Sequence, residues 1–154
     1  MRRYTILFLF IITSVVGIAQ NKLERKWSID CGIGYMVNNT DASIINIGFQ
    51  KQMTNYLSIG ATTGYYICGS GDVIPLLFDA RAYFPIGHSN FSWGGIARVG
   101  YYTDDSCDDI NAAIEILPGI KYKVNKRSEL RLNMGSCTSS ETLFNFQLGY
   151  TFYL

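Results

Sequence analysis

From Trp27 onward the chain alternates a large apolar side chain with a small or polar one, and this period of two recurs in eight segments. The first sets Trp27, Ile29, Cys31, Ile33 and Tyr35 against Ser28, Asp30, Gly32 and Gly34. The last sets Phe144, Phe146, Leu148, Tyr150, Phe152 and Leu154 against Asn145, Gln147, Gly149, Thr151 and Tyr153. Between them the pattern returns over 45–50, 57–67, 76–84, 91–101, 112–122 and, most weakly, 130–135. Successive side chains of a β-strand point to opposite faces, so each segment predicts a strand with one apolar face. Turn-forming residues separate them at 38–41, 54–55, 69–72 and 85–90. No helical period appears after Gln20, and no apolar run there approaches about 18 residues. The expected fold is all-β, an eight-stranded antiparallel up-and-down barrel over 27–154.

Alternation alone does not say which face looks inward, but three features do. An eight-stranded interior is only just wide enough for side chains to fill it. The set holding Trp27, Phe49, Phe78, Trp93 and Phe146 would overfill that space, whereas the Gly, Ser, Thr and Asn set fits. The polar set is also too poor in charge for a surface in water, where about 25–35% would be charged. Its charges come in both signs, Asp30, Asp79 and Glu115 with Arg81, Arg98, Lys121 and Arg131. Opposite charges inside a narrow tube can pair, as buried charges must. Finally, aromatic residues of the apolar set gather at strand ends: Trp27, Phe49, Phe84, Phe91, Trp93, Tyr122 and Phe152 at one, Tyr35, Tyr65, Tyr101 and Phe144 at the other. Two aromatic girdles around an apolar band predict a barrel that crosses a membrane.

The opening segment fits that destination. Arg2 and Arg3 precede an apolar run from Ile6 to Ile12, and Gly17 and Ala19 supply the small residues of a cleavage site. This is the pattern of a secretory signal peptide over 1–19, with a short polar lead over 20–26 before the barrel. The run is shorter than the roughly 20 residues a spanning helix needs. Removing Arg2 and Arg3 leaves 11 basic and 12 acidic groups of the 13 and 12 present, a net −1. No basic excess remains to hold a nucleic-acid backbone, so no nucleic-acid partner is expected.

The closing segment carries a motif. Gln147, Gly149, Phe152 and Leu154 stand where bacterial outer-membrane barrels place a polar residue, a Gly, an aromatic residue and a terminal hydrophobe in their last strand. In this the chain resembles small barrels of the OmpA/OmpX kind, including the "outer membrane protein beta-barrel domain" group of Bacteroidetes. The family more often ends in Phe. The resemblance implies a Gram-negative outer membrane, insertion by the assembly machinery that reads the last strand, and a surround of outer-membrane lipid. It implies no particular activity.

Little in the chain offers chemistry. With the first exported residue on the periplasmic side, the loops near 37–42, 69–73, 103–110 and 138–142 face outward, and all four are short. The most polar of them holds Asp104, Asp105, Asp108 and Asp109, four carboxylates that could bind Ca²⁺ through hard oxygens. Lacking the Gly and the spaced Glu of a calcium loop, it reads as a solvated charged loop, and no metal is expected. His88, the only His, falls in the turn 85–90, at the wrong end for an outward-facing lipid-modifying enzyme. No phosphate loop, CxxC or nucleophile elbow is present. No cofactor is therefore expected.

Four Cys allow three pairings, and the sequence does not choose among them. Cys68, Cys107 and Cys137 fall at or beyond outward strand ends, with a slight preference for Cys107–Cys137 because they lie on neighbouring strands. Cys31 reads as a small hydrophobe in the lipid-facing set. The expected role is that of a monomeric structural or surface-interaction barrel without catalysis. A narrow porin-like channel is the alternative, and a lipid-modifying enzyme a third, lacking residues for its chemistry. Arg81, Arg98 and Arg131 are expected to bridge Asp79 and Glu115, with Glu115 facing either Arg98 or Arg131.

Overall fold

The structure is a computed structural model that describes residues 26–37, 41–69, 71–104, 110–139 and 142–154. The expected signal peptide, the polar lead up to 25 and the acidic run 105–109, including Cys107, lie outside the described residues. Eight strands follow one another: β1 (Trp27–Val37), β2 (Ala42–Gln52), β3 (Leu57–Cys68), β4 (Val73–Pro85), β5 (Phe91–Asp104), β6 (Ile110–Lys123), β7 (Ser128–Thr138) and β8 (Thr142–Tyr153). Each pairs antiparallel with its sequence neighbour, and β8 pairs with β1, so the sheet closes. Closure leaves no edge strand with unpaired backbone groups.

The period of two carries through every strand. Cys31, flanked by Ile47 on β2 and Tyr150 on β8, points outward with both neighbours, while Asp30, opposite Gly48 and Thr151, points inward. The outer wall is built of exposed apolar side chains, among them Ile33, Ile47, Leu76, Phe78, Val99, Ile116 and Leu148. The two prolines inside strands coincide with gaps in the ladders. Pro75 falls between the paired positions Tyr66↔Val73 and Thr63↔Leu76, and Pro118 between Ile116↔Ser136 and Gly119↔Asn133. A proline has no N–H to donate there, and at Pro75 the neighbouring strand compensates: Thr63 Oγ1 donates to the Pro75 carbonyl at 2.8 Å.

The strands are longer than the alternation marked, chiefly toward the 38–41, 69–72, 105–109 and 139–141 connections (the loop side). These added turns bring apolar residues into the interior. Met36, Ala42, Ile44, Tyr66, Leu77, Tyr102, Ala113 and Cys137 form a buried cluster there, with Cys68, Val73 and Leu143 packed on it. A second cluster, Tyr83, Ile96 and Leu117, packs against the β4–β6 wall nearer the opposite, turn side. The expectation of an interior made of small and polar residues therefore needs correcting at the loop side. Inward Gly at 32, 34, 60 and 64 leaves room for large neighbours, as at Gly32, where a Cβ would stand 2.5 Å from Asn46 Oδ1.

Candidate functional site

The chemistry of this chain lies inside the barrel, where alternation places charged side chains that have no water to face. Six of them form one unbranched chain of alternating sign: Glu115, Arg98, Asp79, Arg81, Asp30, Arg131. Arg98 Nη1 meets Glu115 Oε2 at 2.9 Å, and Arg98 Nε lies 3.2 Å from Asp79 Oδ1. Arg81 continues the chain, with Nη2 at 2.5 Å from Asp79 Oδ2 and Nη1 at 2.9 Å from Asp30 Oδ2. Arg131 closes it on Asp30 Oδ1. Three carboxylates balance three guanidiniums, so the buried set is formally neutral. Burying ions is costly unless partners and further hydrogen bonds offset the lost hydration.

Those further bonds come from the strands that carry no charge in the chain. Gln50 Nε2 and Thr62 Oγ1 donate to Asp79 Oδ2 at 3.0 and 2.8 Å. Thr151 Oγ1 donates to Asp30 Oδ1 at 2.7 Å, and Arg98 Nη1 donates to Gln147 Oε1 at 2.9 Å. With these, every strand from β1 to β8 contributes a side chain to one connected polar layer. On its loop side Tyr66 and Tyr102 both donate to Glu115 Oε1, at 3.1 and 2.5 Å, and their rings meet edge to face at 5.4 Å. On its turn side Lys121 Nζ pairs with Glu129 Oε2 at 3.0 Å, and Tyr153 Oη donates to the same oxygen at 2.6 Å. The gap left among Ser28, Arg131, Lys121 and Glu129 is about 30 Å³, room for little more than a water molecule.

The structure thus brings Asp30, Asp79, Arg81, Arg98, Glu115 and Arg131 together, and it settles which partners they take. Glu115 goes to Arg98 and not to Arg131, whose carboxylate is Asp30, 101 positions away in sequence. Lys121 stands apart from the chain, paired with a residue the alternation did not mark. The alternation of the seventh segment starts at Leu130, two residues after β7 begins at Ser128, and so does not reach Glu129. Tyr66 and Tyr102 also turn inward, although large side chains are expected on the outer face. Their inward parity with Thr62 and Arg98 was the available signal.

The β8 motif has an interior role of its own. Gly149 faces inward opposite Gly32 and Arg131, and a Cβ there would stand 2.5 Å from Arg131 Nη2 and 3.0 Å from its Cζ. The guanidinium occupies the space that the missing side chain leaves. Gly149→Val should therefore push Arg131 off Asp30 and destabilise the barrel by about 3 kcal/mol or more. Urea unfolding of this variant beside Gly69→Val, at a position open to solvent, checks it. An equal midpoint for the two would show that Arg131 has another place to go. Of the other motif residues, Gln147 is bound to Arg98, Phe152 faces outward, and the Leu154 N–H donates to the Trp27 carbonyl at 2.9 Å.

Cys137 is a free thiol buried in the apolar cluster, its Sγ 3.0 Å from Tyr102 Oη, and it points into the barrel rather than toward the loops. Cys31 is free and exposed on the outer wall, and Cys68 is free and half-buried. His88 sits in an exposed turn, where the hydroxyl of its neighbour Ser89 is committed to the Ile86 carbonyl at 2.6 Å. Among the described residues no group of His, Cys, Asp and Glu is placed to hold a metal ion.

No protein-family model matches the chain, and no curated protein matches it in sequence. Solved structures match it closely in shape. Neisserial surface protein A superimposes with a TM-score of 0.60 at 11% identity, covering 82% of this chain and 95% of that one. Outer membrane protein H (OprH) from P. aeruginosa gives 0.58 at 15% identity, covering 82% and 99%. Ail, the attachment invasion locus protein of Yersinia pestis, gives 0.57 at 11% identity, covering 86% and 100%. What this chain has in common with these proteins is the fold, a small closed antiparallel barrel of the kind found in outer membranes.

Proposed function

We propose that this chain is an exported, integral outer-membrane barrel with a structural or surface-interaction role, neither catalytic nor conducting. A continuous apolar outer wall between two rows of aromatic residues supports the membrane setting, because such a wall in water would be an aggregation surface. The similar structures, two of them named for a surface or for attachment, lend the same support. On this reading 1–19 directs export, lipid surrounds a monomer, and Gln147, Gly149, Phe152 and Leu154 present β8 to the assembly machinery.

One observation carries the non-conducting part. The polar layer spans the barrel from all eight strands, is charge-balanced, and is backed on the loop side by the apolar cluster. An ion entering would have to break these buried guanidinium–carboxylate pairs. Purified protein in a planar lipid bilayer should therefore show no steady unitary conductance. Reproducible steps would favour the narrow-channel alternative. Boiled and unboiled samples from the outer-membrane fraction should migrate differently on gels, and recovery of the protein in detergent-free periplasm would count against the membrane setting itself.

A further inference from the structure

The interior is neutral, but the two rims of the barrel are not. On the loop side the sequence carries Asp41, Asp72, four Asp between 104 and 109, and Glu141, with no Lys or Arg. On the turn side the described residues include Lys26, Lys51, Lys121, Lys123, Lys126 and Arg127, against one carboxylate, Glu129. Lys121 takes that carboxylate. Lys51, Lys123, Lys126 and Arg127 form no ion pair among the described residues. Backbone bonds tie this rim to the neighbouring strands: Gln52 N–H to the Lys26 carbonyl at 2.9 Å, Lys123 N–H to the Asn90 carbonyl at 2.9 Å and Tyr153 N–H to the Arg127 carbonyl at 2.8 Å.

A second feature coincides with this rim. The outer wall just beside it is lined by aromatic pairs, Trp27 on Phe49 with centroids 4.8 Å apart, Phe91 against Tyr122 at 4.8 Å, and Phe84 against Trp93 at 5.8 Å. Lys51 Nζ lies 4.9 Å above the Trp27 ring, so its charge lies along the outer wall and not over the mouth. Amphipathic aromatic rings sit at the headgroup level of a bilayer, and basic side chains beside them meet the phosphates. A soluble acidic partner would need charges pointing out along the barrel axis; Lys51 instead lies sideways against the aromatic ring, at the level where lipid headgroups stand.

We propose that the turn-side rim is a headgroup-binding collar that selects anionic phospholipids over zwitterionic ones in the leaflet it touches. The inference rests on the membrane setting given under Proposed function.

The two tryptophans of the chain, Trp27 and Trp93, both stand in the aromatic ring at this rim, so selectively excited tryptophan emission reports on it alone. The test folds the full barrel into vesicles in which either phosphatidylglycerol or phosphatidylcholine carries bromine quenchers, at equal mole fraction. Quenching should indicate about fivefold enrichment of phosphatidylglycerol at the rim for each basic side chain engaged. That preference should fall toward unity at about 1 M salt, where screening reaches a few ångströms, and in Lys51→Gln/Lys126→Gln/Arg127→Gln. If the triple variant fails to fold, Lys126→Gln/Arg127→Gln in the exposed turn should still lower the preference by about fivefold for each of the two side chains that is engaged. Equal quenching by both lipids at low salt, or a preference that the variants leave intact, would overturn the collar while leaving the membrane setting standing. Absence of quenching by either lipid would overturn the membrane setting, and the collar with it.

Discussion

Glu115→Ala should lower the unfolding free energy of the barrel by about 3–5 kcal/mol, the cost of stranding one member of a buried ion pair. Glu115 has no exposed surface, and its two oxygens accept from Arg98, Tyr66 and Tyr102. Removing it leaves three arginines facing two carboxylates in a buried layer. The loss should be partly recovered in Glu115→Ala/Arg98→Leu, which restores the balance: Asp79, Arg81, Asp30 and Arg131 still alternate as a neutral set of four. A double variant more stable than the single one is an outcome that simple loss of packing does not produce. Lys126→Ala, in the exposed turn before β7, should stay within about 0.5 kcal/mol of the parent. Urea unfolding in lipid vesicles measures all three. If Glu115→Ala unfolds at the parent midpoint, the layer is hydrated and the non-conducting reading loses its main support.

The second large effect belongs to the outer wall. Phe78 is 67% exposed at the middle of β4, between Ala61 on β3 and Val99 on β5. Phe78→Arg should cost about 2–4 kcal/mol in a bilayer, because the guanidinium would sit near the hydrocarbon midplane. The same change at Phe84, in the turn-side aromatic ring, should cost no more than about 1 kcal/mol, since there the charge reaches the interface. A barrel standing in water would show the reverse, with Phe78→Arg neutral or improving solubility. Comparing the two variants by urea unfolding in vesicles reads the depth profile directly, and a flat profile would place the apolar wall outside a bilayer.

The order of the strands was readable in the chain because side-chain direction along a strand is local. Trp27 to Tyr35 face one way and Ser28 to Gly34 the other whatever the rest of the molecule does. The same parity put Asp30, Asp79, Arg81, Arg98, Glu115 and Arg131 on one face. Strand ends are less legible: the pattern weakens wherever Met36, Ile44, Tyr66 or Tyr102 turns inward, so the alternation does not mark the apolar cluster on the loop side. Side-chain size is a poor guide to direction near a barrel's end, where glycines on neighbouring strands leave space and an inward tyrosine fits.

Partner choice inside the barrel was fixed only by closure. Asp30 and Arg131 are 101 residues apart, and Asp30 and Thr151 are 121 apart. They meet because β8 returns to β1 in a register that sets Asp30 level with Thr151 and Ile33 level with Leu148. A shift of that one seam by two residues would preserve every alternation in the sequence and give Arg131 a different neighbour. Gly149 shows the same division. Its presence in the closing motif is visible in the chain, but the guanidinium that needs its missing side chain arrives from β7, across the seam between neighbouring strands. Inward or outward follows from the local geometry of each strand, whereas the identity of a contact follows from shear, which is a property of the closed sheet as a whole.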